Sequence, residues 1–320
     1  MFATIARRVL IAVPLLLGMS FVTFLFIDLA PGDYFDTLRL NPEISQATLA
    51  QYEKQFMLDQ PVLVQYGAWL GRLAHGDMGY SFAFRAPVAR VIGTRVGNTL
   101  VLALTAMVIA WIGAVPLGIL CATRRGRWPD RTFGFFAVLA MSVPTFFSAM
   151  LLLYFASQTG CLPIGGVRSS NFASLSAAGQ LWDVAQHLVI PSAVLGLSSM
   201  AGLIRVLRGN MLEALASPFI LAARGRGISE SRVLWRHALP NALNPMITIF
   251  GYELSGLLSG AALTEIICNW PGLGSLMLTA VRQQDLFLVM GDMLIGGVLL
   301  LVGNLLADIG LAWLDPRIRF

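Results

Sequence analysis

Apolar residues in this chain gather in continuous runs of roughly 20 residues, the length an α-helix needs to cross a ~30 Å hydrocarbon core at 1.5 Å per residue. Six such runs stand out, at about 9–30, 100–122, 133–156, 188–207, 245–267 and 287–311. Lipid offers no hydrogen-bond partners, so each run must satisfy its own backbone. A barrel would instead show alternating strands of ~10 residues. The pattern predicts an all-α, multi-pass membrane protein with six transmembrane helices in a single domain, 1–320. The first run follows Arg7 and Arg8. It is too long for the apolar core of a secretory leader, and Asp28-Leu29-Ala30 is a poor cleavage site, so it is read as an uncleaved span.

Two polar stretches are too long to be simple connectors. Segment 31–99 has helical stretches at 46–56 and 64–73, separated by the turn signal Leu58-Asp59-Gln60-Pro61. Its aromatics Phe56, Tyr66, Trp69 and Phe82 argue for a folded cap rather than a disordered linker. Segment 208–244 carries sharper signals. Ser217 is a predicted N-cap before Pro218 at the first helical position, and Gly227 is a predicted stop, giving a short helix of about nine residues. Ser229 is read as the cap of a second helix, with Glu230 in its first turn and Pro240 closing it. Two short helices joined at a glycine form a compact protrusion suited to docking.

Composition supports the membrane reading: 57% of residues are hydrophobic and 12% charged, against about 25% charged in ordinary soluble domains. Six spans put both termini on one side. The segments on that side, together with Arg205 at a helix end, hold 14 Arg and four acids, while the other side holds eight basic and eight acidic residues. The positive-inside rule then predicts both termini in the cytoplasm. Topology accounts for the net charge of +5, so no nucleic-acid partner is inferred.

The chain has one lysine, Lys54, preceded by Glu53. A phosphate-binding loop requires Gly-Lys followed by Ser or Thr, so no ATPase site is present. His75, His187 and His237 lie in separate segments and form no metal motif, and Cys121, Cys161 and Cys268 have no CxxC spacing. Cys161 and Cys268 are both placed outside the membrane, where a disulfide is chemically permitted. Within the runs, Asp28, Glu253, Glu265, Asp292, Asn304 and Asp308 are the conspicuous polar residues, and burying a charge there costs at least ~2.5 kcal/mol. Asp28, Glu265 and Asp308 lie near helix ends, close to water. Glu253 and Asp292 remain as candidate pathway residues.

Segment 221–240 reads Leu221-Ala222-Ala223, three residues, Gly227, nine residues, then His237-Ala238-Leu239-Pro240. This resembles the EAA loop of ABC importer permeases, with leucine in place of the glutamate and His237 in place of an isoleucine. The form His-Ala-Leu before Asn241-Ala242-Leu243 resembles the dipeptide, oligopeptide and nickel branch. Further matching motifs are Pro31-Gly32-Asp33, Leu58-Asp59-Gln60-Pro61, Gly76-Asp77-Met78-Gly79-Tyr80-Ser81, Ser142-Val143-Pro144, Pro271-Gly272-Leu273-Gly274 and Asp315-Pro316-Arg317-Ile318-Arg319. They cover nearly the whole chain in order, and the long first external loop is similar to one of that family's two permease types.

The resemblance implies a type I ABC importer permease fold and a role in peptide uptake, with nickel or nickel-chelate uptake as the alternative. It implies that Ser217, Pro218, Phe219, Ile220, Leu221, Ala222, Ala223, Arg224, Gly225, Arg226 and Gly227 form a helix that couples to a separate ATPase, together with His237, Leu239 and Pro240. Phe219 and Ile220 would be the apolar anchors, with Arg224 and Arg226 making charged hydrogen bonds. The implied partners are a second homologous permease, two ATPase subunits that bind ATP and Mg, an external substrate-binding protein and the lipid bilayer. The chain itself would hold no cofactor and no metal.

Overall fold

The computed structural model describes residues 2–29, 54 and 60–314. In order, the described elements are α1 (Phe2–Asp28), α2 (Val62–Ala74), the short antiparallel pair β1 (Tyr80–Ser81) and β2 (Ala86–Pro87), α3 (Val88–Thr123), α4 (Trp128–Ser142) and α5 (Thr145–Thr159). A 3-10 turn at Phe172–Ser174 precedes α6 (Ala177–Ala216), α7 (Pro218–Gly225) and α8 (Glu230–Arg232). A π-helical stretch, Val233–Ala238, leads into α9 (Leu239–Gly260), α10 (Ala262–Ile267), α11 (Leu273–Arg282) and α12 (Leu286–Leu314).

Among the described residues four helices are long and apolar enough to span a bilayer: α1 across Leu10–Ile27, α3, α6, and α12 across Leu286–Leu306. The run expected at 133–156 is not one helix. It is α4 and α5, meeting at 101°, and counting the pair as one span gives five rather than six. Val143 is extended, with φ −91 and ψ 124, because a proline ring clashes with a helical conformation in the residue before it. Pro144 then begins the next helix. The run expected at 245–267 is divided between α9 and α10, and polar Asn244 and Glu253 dilute the hydropathy of α9. Large apolar side chains on the outer faces, such as Leu10, Ile112, Phe135 and Phe155, are exposed, as lipid contact requires.

The expected helical stretch 64–73 is present as α2. The one at 46–56, the Pro31-Gly32-Asp33 motif and the terminal 315–319 motif lie outside the described residues, as does most of the Leu58-Asp59-Gln60-Pro61 turn. Cys161, exposed, and Cys268, buried, are free thiols, so the permitted disulfide is not formed.

The described contacts fall into two compact units. The first lies within Leu100–Trp270 and Leu300–Phe320. Its axis is α6, against which α4, α5, α9 and α10 pack. Leu203, Leu207 and Met211 of α6 share a buried cluster with Ala114 and Cys121 of α3 and Ala242 and Met246 of α9. Gly196 lets α3 and α6 touch: a Cβ there would sit 2.9 Å from the Ala106 carbonyl oxygen. Small residues serve membrane helices this way, since dispersion rather than the hydrophobic effect holds them together.

The second unit lies within Phe2–Thr99 and Pro271–Leu299. Its core gathers Phe24, Trp69, Phe82, Val88, Leu288 and Met290. Two of the sequence motifs meet their partners here. Asn98 donates to the Pro271 carbonyl at 2.9 Å, and the Leu273 N–H donates to the Thr99 hydroxyl at 2.8 Å, which fixes the Pro-Gly-Leu-Gly start of α11. Asp285, fully buried, accepts the Ser81 hydroxyl at 2.7 Å and the Ala83 N–H at 3.0 Å.

Burial pushes the Asp285 carboxyl above its ordinary range, with the hydrogen bonds from Ser81, Ala83 and Leu288 opposing. Asp285→Ala should cost about 1–3 kcal/mol, because it strands buried donors, and should lower the thermal unfolding midpoint in detergent. A raised folded-state value stabilises most below the unfolded value of 3.8 and loses that stabilisation as pH rises through the folded value. Wild type should therefore gain midpoint over Asp285→Asn on going from about pH 7 to about pH 4.

Candidate functional site

Of the implied coupling residues, 217–227 form a mostly exposed turn and short projecting helix, α7, in the first unit. After α6 ends, Ser217 turns the chain and Pro218 starts α7, where its missing N–H would have had no partner in any case. Gly227 closes α7 in a left-handed conformation, φ +73. Its N–H donates to the Arg224 carbonyl at 2.9 Å and the Ile228 N–H to that of Ala223 at 3.3 Å, the paired bonds of a Schellman cap. Ile228 and Ala223 belong to the same apolar cluster, the contact that usually accompanies this cap.

Several details differ from the sequence expectation. Neither Ser217 nor Ser229 caps through its side chain: the Ser217 hydroxyl donates back to the Ala214 carbonyl. Ile220 is not an outward anchor. It is fully buried and fastens α7 to the core beneath it, as does Ala223 on the same face. The outward apolar surface is Phe219 and Leu221, to which the structure adds Trp235, 57% exposed, which sequence reasoning passed over. A tryptophan in a basic loop was the signal available. Both Arg224 and Arg226 are exposed, and the Arg224 guanidinium is held on its own loop by both Glu230 carboxylate oxygens, at 2.8 and 3.1 Å.

Pro240 does not close a helix. Glu230–Arg232, the π-helical stretch and α9 follow one another, and the Leu239 N–H donates to the Leu234 carbonyl, five residues back. A proline inside an α-helix would collide with the carbonyl four residues earlier. The wider turn before Pro240 is a π-bulge, the usual way for a helix to absorb an irregular residue. His237 is half-buried and its carbonyl accepts the Asn241 side-chain amide at 2.7 Å, while Leu239 is buried.

Of the candidate pathway residues, Glu253 lines a cleft of about 410 Å³ with Met141, Gly202, Leu203, Arg205, Val206 and Ile249, all in the first unit. Asp292 is buried within the second unit. Glu265, expected near water, is fully buried, and the side chains of Asp28 and Asp308 lie outside the described residues. An ion pair not anticipated from the sequence holds α4 to α6. Asp130 accepts two hydrogen bonds from the Arg208 guanidinium, the one from Nη2 at 2.9 Å, and one from the Gly126 N–H at 2.9 Å. The signal was there in the form of a lone acid among Arg124, Arg125, Arg127 and Arg131.

Residues 114–320 match the family described as binding-protein-dependent transport system inner membrane component, and residues 1–103 match the N-terminal part of such membrane components. The chain belongs to this family. It is a multi-pass membrane component of a transport system that depends on a binding protein, not an enzyme. Among its relatives, the oligopeptide transport system permease protein AppB of Bacillus subtilis is 38% identical, with all of both chains covered. The dipeptide transport system permease protein DppB of Escherichia coli K12 is 33% identical over all of this chain and 99% of its own. In fold it is similar to a chain of the inward-facing MetNI methionine ABC transporter, at TM-score 0.57 and 16% identity over 70% of this chain and 96% of that one. The type I importer permease fold is therefore shared.

In this permease, Asp130→Ala should weaken the joint between α4 and α6 by about 1–3 kcal/mol, a figure discounted because the Arg208 side chain is 35% exposed. The expected readout is a lower thermal midpoint in detergent with membrane insertion unchanged.

Proposed function

We propose that this permease translocates peptides, driven by ATP hydrolysis in separate subunits that grip the α7 projection. The observation that carries the cargo is the full-length similarity to relatives named as oligopeptide and dipeptide permeases. The coupling role is supported by the shape of 217–227. Ile220 and Ala223 fasten α7 rigidly to the core around α6, while Phe219, Leu221 and Arg226 are presented to solvent. Such a projection passes force because it cannot bend at its root. Small Ala222, Gly225 and Gly227 let a partner surface come close, and Trp235 widens the apolar face.

The remaining assembly follows from this reading. The ATPase subunits carry ATP and Mg, and their closure displaces α7 and, through α6 and α9, the helices around the Glu253 cleft. A second homologous permease completes the pathway, two ATPase subunits drive it, and an external binding protein supplies cargo. The 14 Arg on the side of the termini support a cytoplasmic position for both termini and for α7.

Gly227→Leu places a side chain where φ is +73, a conformation that costs roughly 1–2 kcal/mol outside glycine. In the assembled transporter, peptide-stimulated ATP hydrolysis should fall to the unstimulated rate while the chain still inserts and assembles. Undiminished peptide transport in that variant would remove the coupling role, and uptake of nickel but not of peptides by the wild type would remove the cargo.

A further inference from the structure

The Glu253 cleft combines features that packing does not explain. Three of its walls are apolar, formed by Leu203 and Val206 of α6, Met141 of α4 and Ile249 of α9. Two charges of opposite sign line the same space, Arg205 on α6 and Glu253 on α9. Among the described residues they do not pair with each other. Arg205 reaches only the Met141 sulfur, at 3.5 Å, and the half-buried Glu253 side chain makes no hydrogen bond or ion pair. A half-buried charge in an apolar run is costly, and the exposed Arg205 guanidinium lining the same space is not used to offset it. The space itself is built in: a Cβ on Gly202 would meet nothing within 4 Å. The volume falls in the ~300–1,000 Å³ range of small-molecule sites.

We propose that this cleft is a transit site for zwitterionic peptides, in which Arg205 receives the terminal carboxylate and Glu253 the terminal ammonium. The proposal rests on the peptide reading above and adds where, and by which chemical features, the cargo is held inside the permease. A guanidinium fork matches a carboxylate in two parallel hydrogen bonds, and a carboxylate takes an ammonium as a charge-assisted acceptor. Both ends of a peptide chain are present whatever its sequence. The apolar walls then contact side chains without selecting them, so the site recognises the class rather than one member. A bare divalent cation would find one carboxylate opposed by a guanidinium, which repels it.

The test uses the complete transporter in proteoliposomes, with its binding protein outside and radiolabelled Ala-Ala as probe, and reads peptide delivered per ATP hydrolysed. Arg205→Gln and Glu253→Gln should each retain binding-protein-stimulated ATP hydrolysis and lower the delivered ratio about tenfold or more. Arg205→Lys and Glu253→Asp, which keep the charges, should recover most of it. Gly202→Phe, which fills open space, should lower the ratio with ATP hydrolysis intact. Ratios equal to wild type in both glutamine variants overturn the transit site. A parallel fall of transport and ATP hydrolysis in them, without recovery by the charge-preserving variants, also overturns it, since that is the mark of a structural role. A wild-type transporter that hydrolyses ATP but delivers no Ala-Ala overturns the peptide reading itself, and the transit site with it.

Discussion

A peptide group in hydrocarbon has no water to bond, so the chain must satisfy every backbone donor and acceptor within its own helices. That constraint makes each interruption of a helix expensive and therefore informative. The break at Val143-Pro144 separates α4 from α5, and the widened turn before Pro240 keeps 230–260 on one path. Serine and threonine hydroxyls fold back on their own helix carbonyls, as Ser142 does on Val138 and Thr123 on Ile119, and so add polarity without demanding a partner elsewhere.

Within the first unit one helix joins the separate pieces of chemistry. Along α6, Arg205 lines the cleft, Arg208 one turn later holds Asp130, and the helix ends where Ser217 launches the projection. α6 is a rod interlocked with its neighbours at close backbone contacts, as at Gly196, rather than cushioned by long side chains. Packed interiors of this kind shift between discrete arrangements instead of deforming gradually.

Helix type, membrane location and the start and stop of α7 were legible in the sequence because they depend on local rules: unbroken apolar runs, proline at a first helical position, glycine after a last one. The number of spans was less so. Hydropathy cannot register that Pro144 turns the path by 101°, nor that the later run breaks between Gly260 and Ala262. The turn and short helix at 217–227 were legible by family spacing, but the direction of their side chains was not. Ile220 and Phe219 are adjacent in sequence and equally apolar, yet one is buried in the core and the other is exposed, which only the helix phase against α6 decides. Arg224 and Arg226 are both exposed, but Glu230 comes within reach of the first and pairs with it. The Asp130–Arg208 pair spans too great a separation in sequence for either residue to announce the other.

The π-helical stretch at Val233–Ala238 sets the rotational phase between α7 and the part of α9 that carries Glu253. It amounts to one residue more than a regular α-helix would need, and one residue corresponds to about 100° of azimuth. Everything downstream on α9 is indexed by that extra residue, Glu253 included. A single deletion between Arg232 and Pro240 would therefore rotate the acidic side chain of Glu253 away from the cleft.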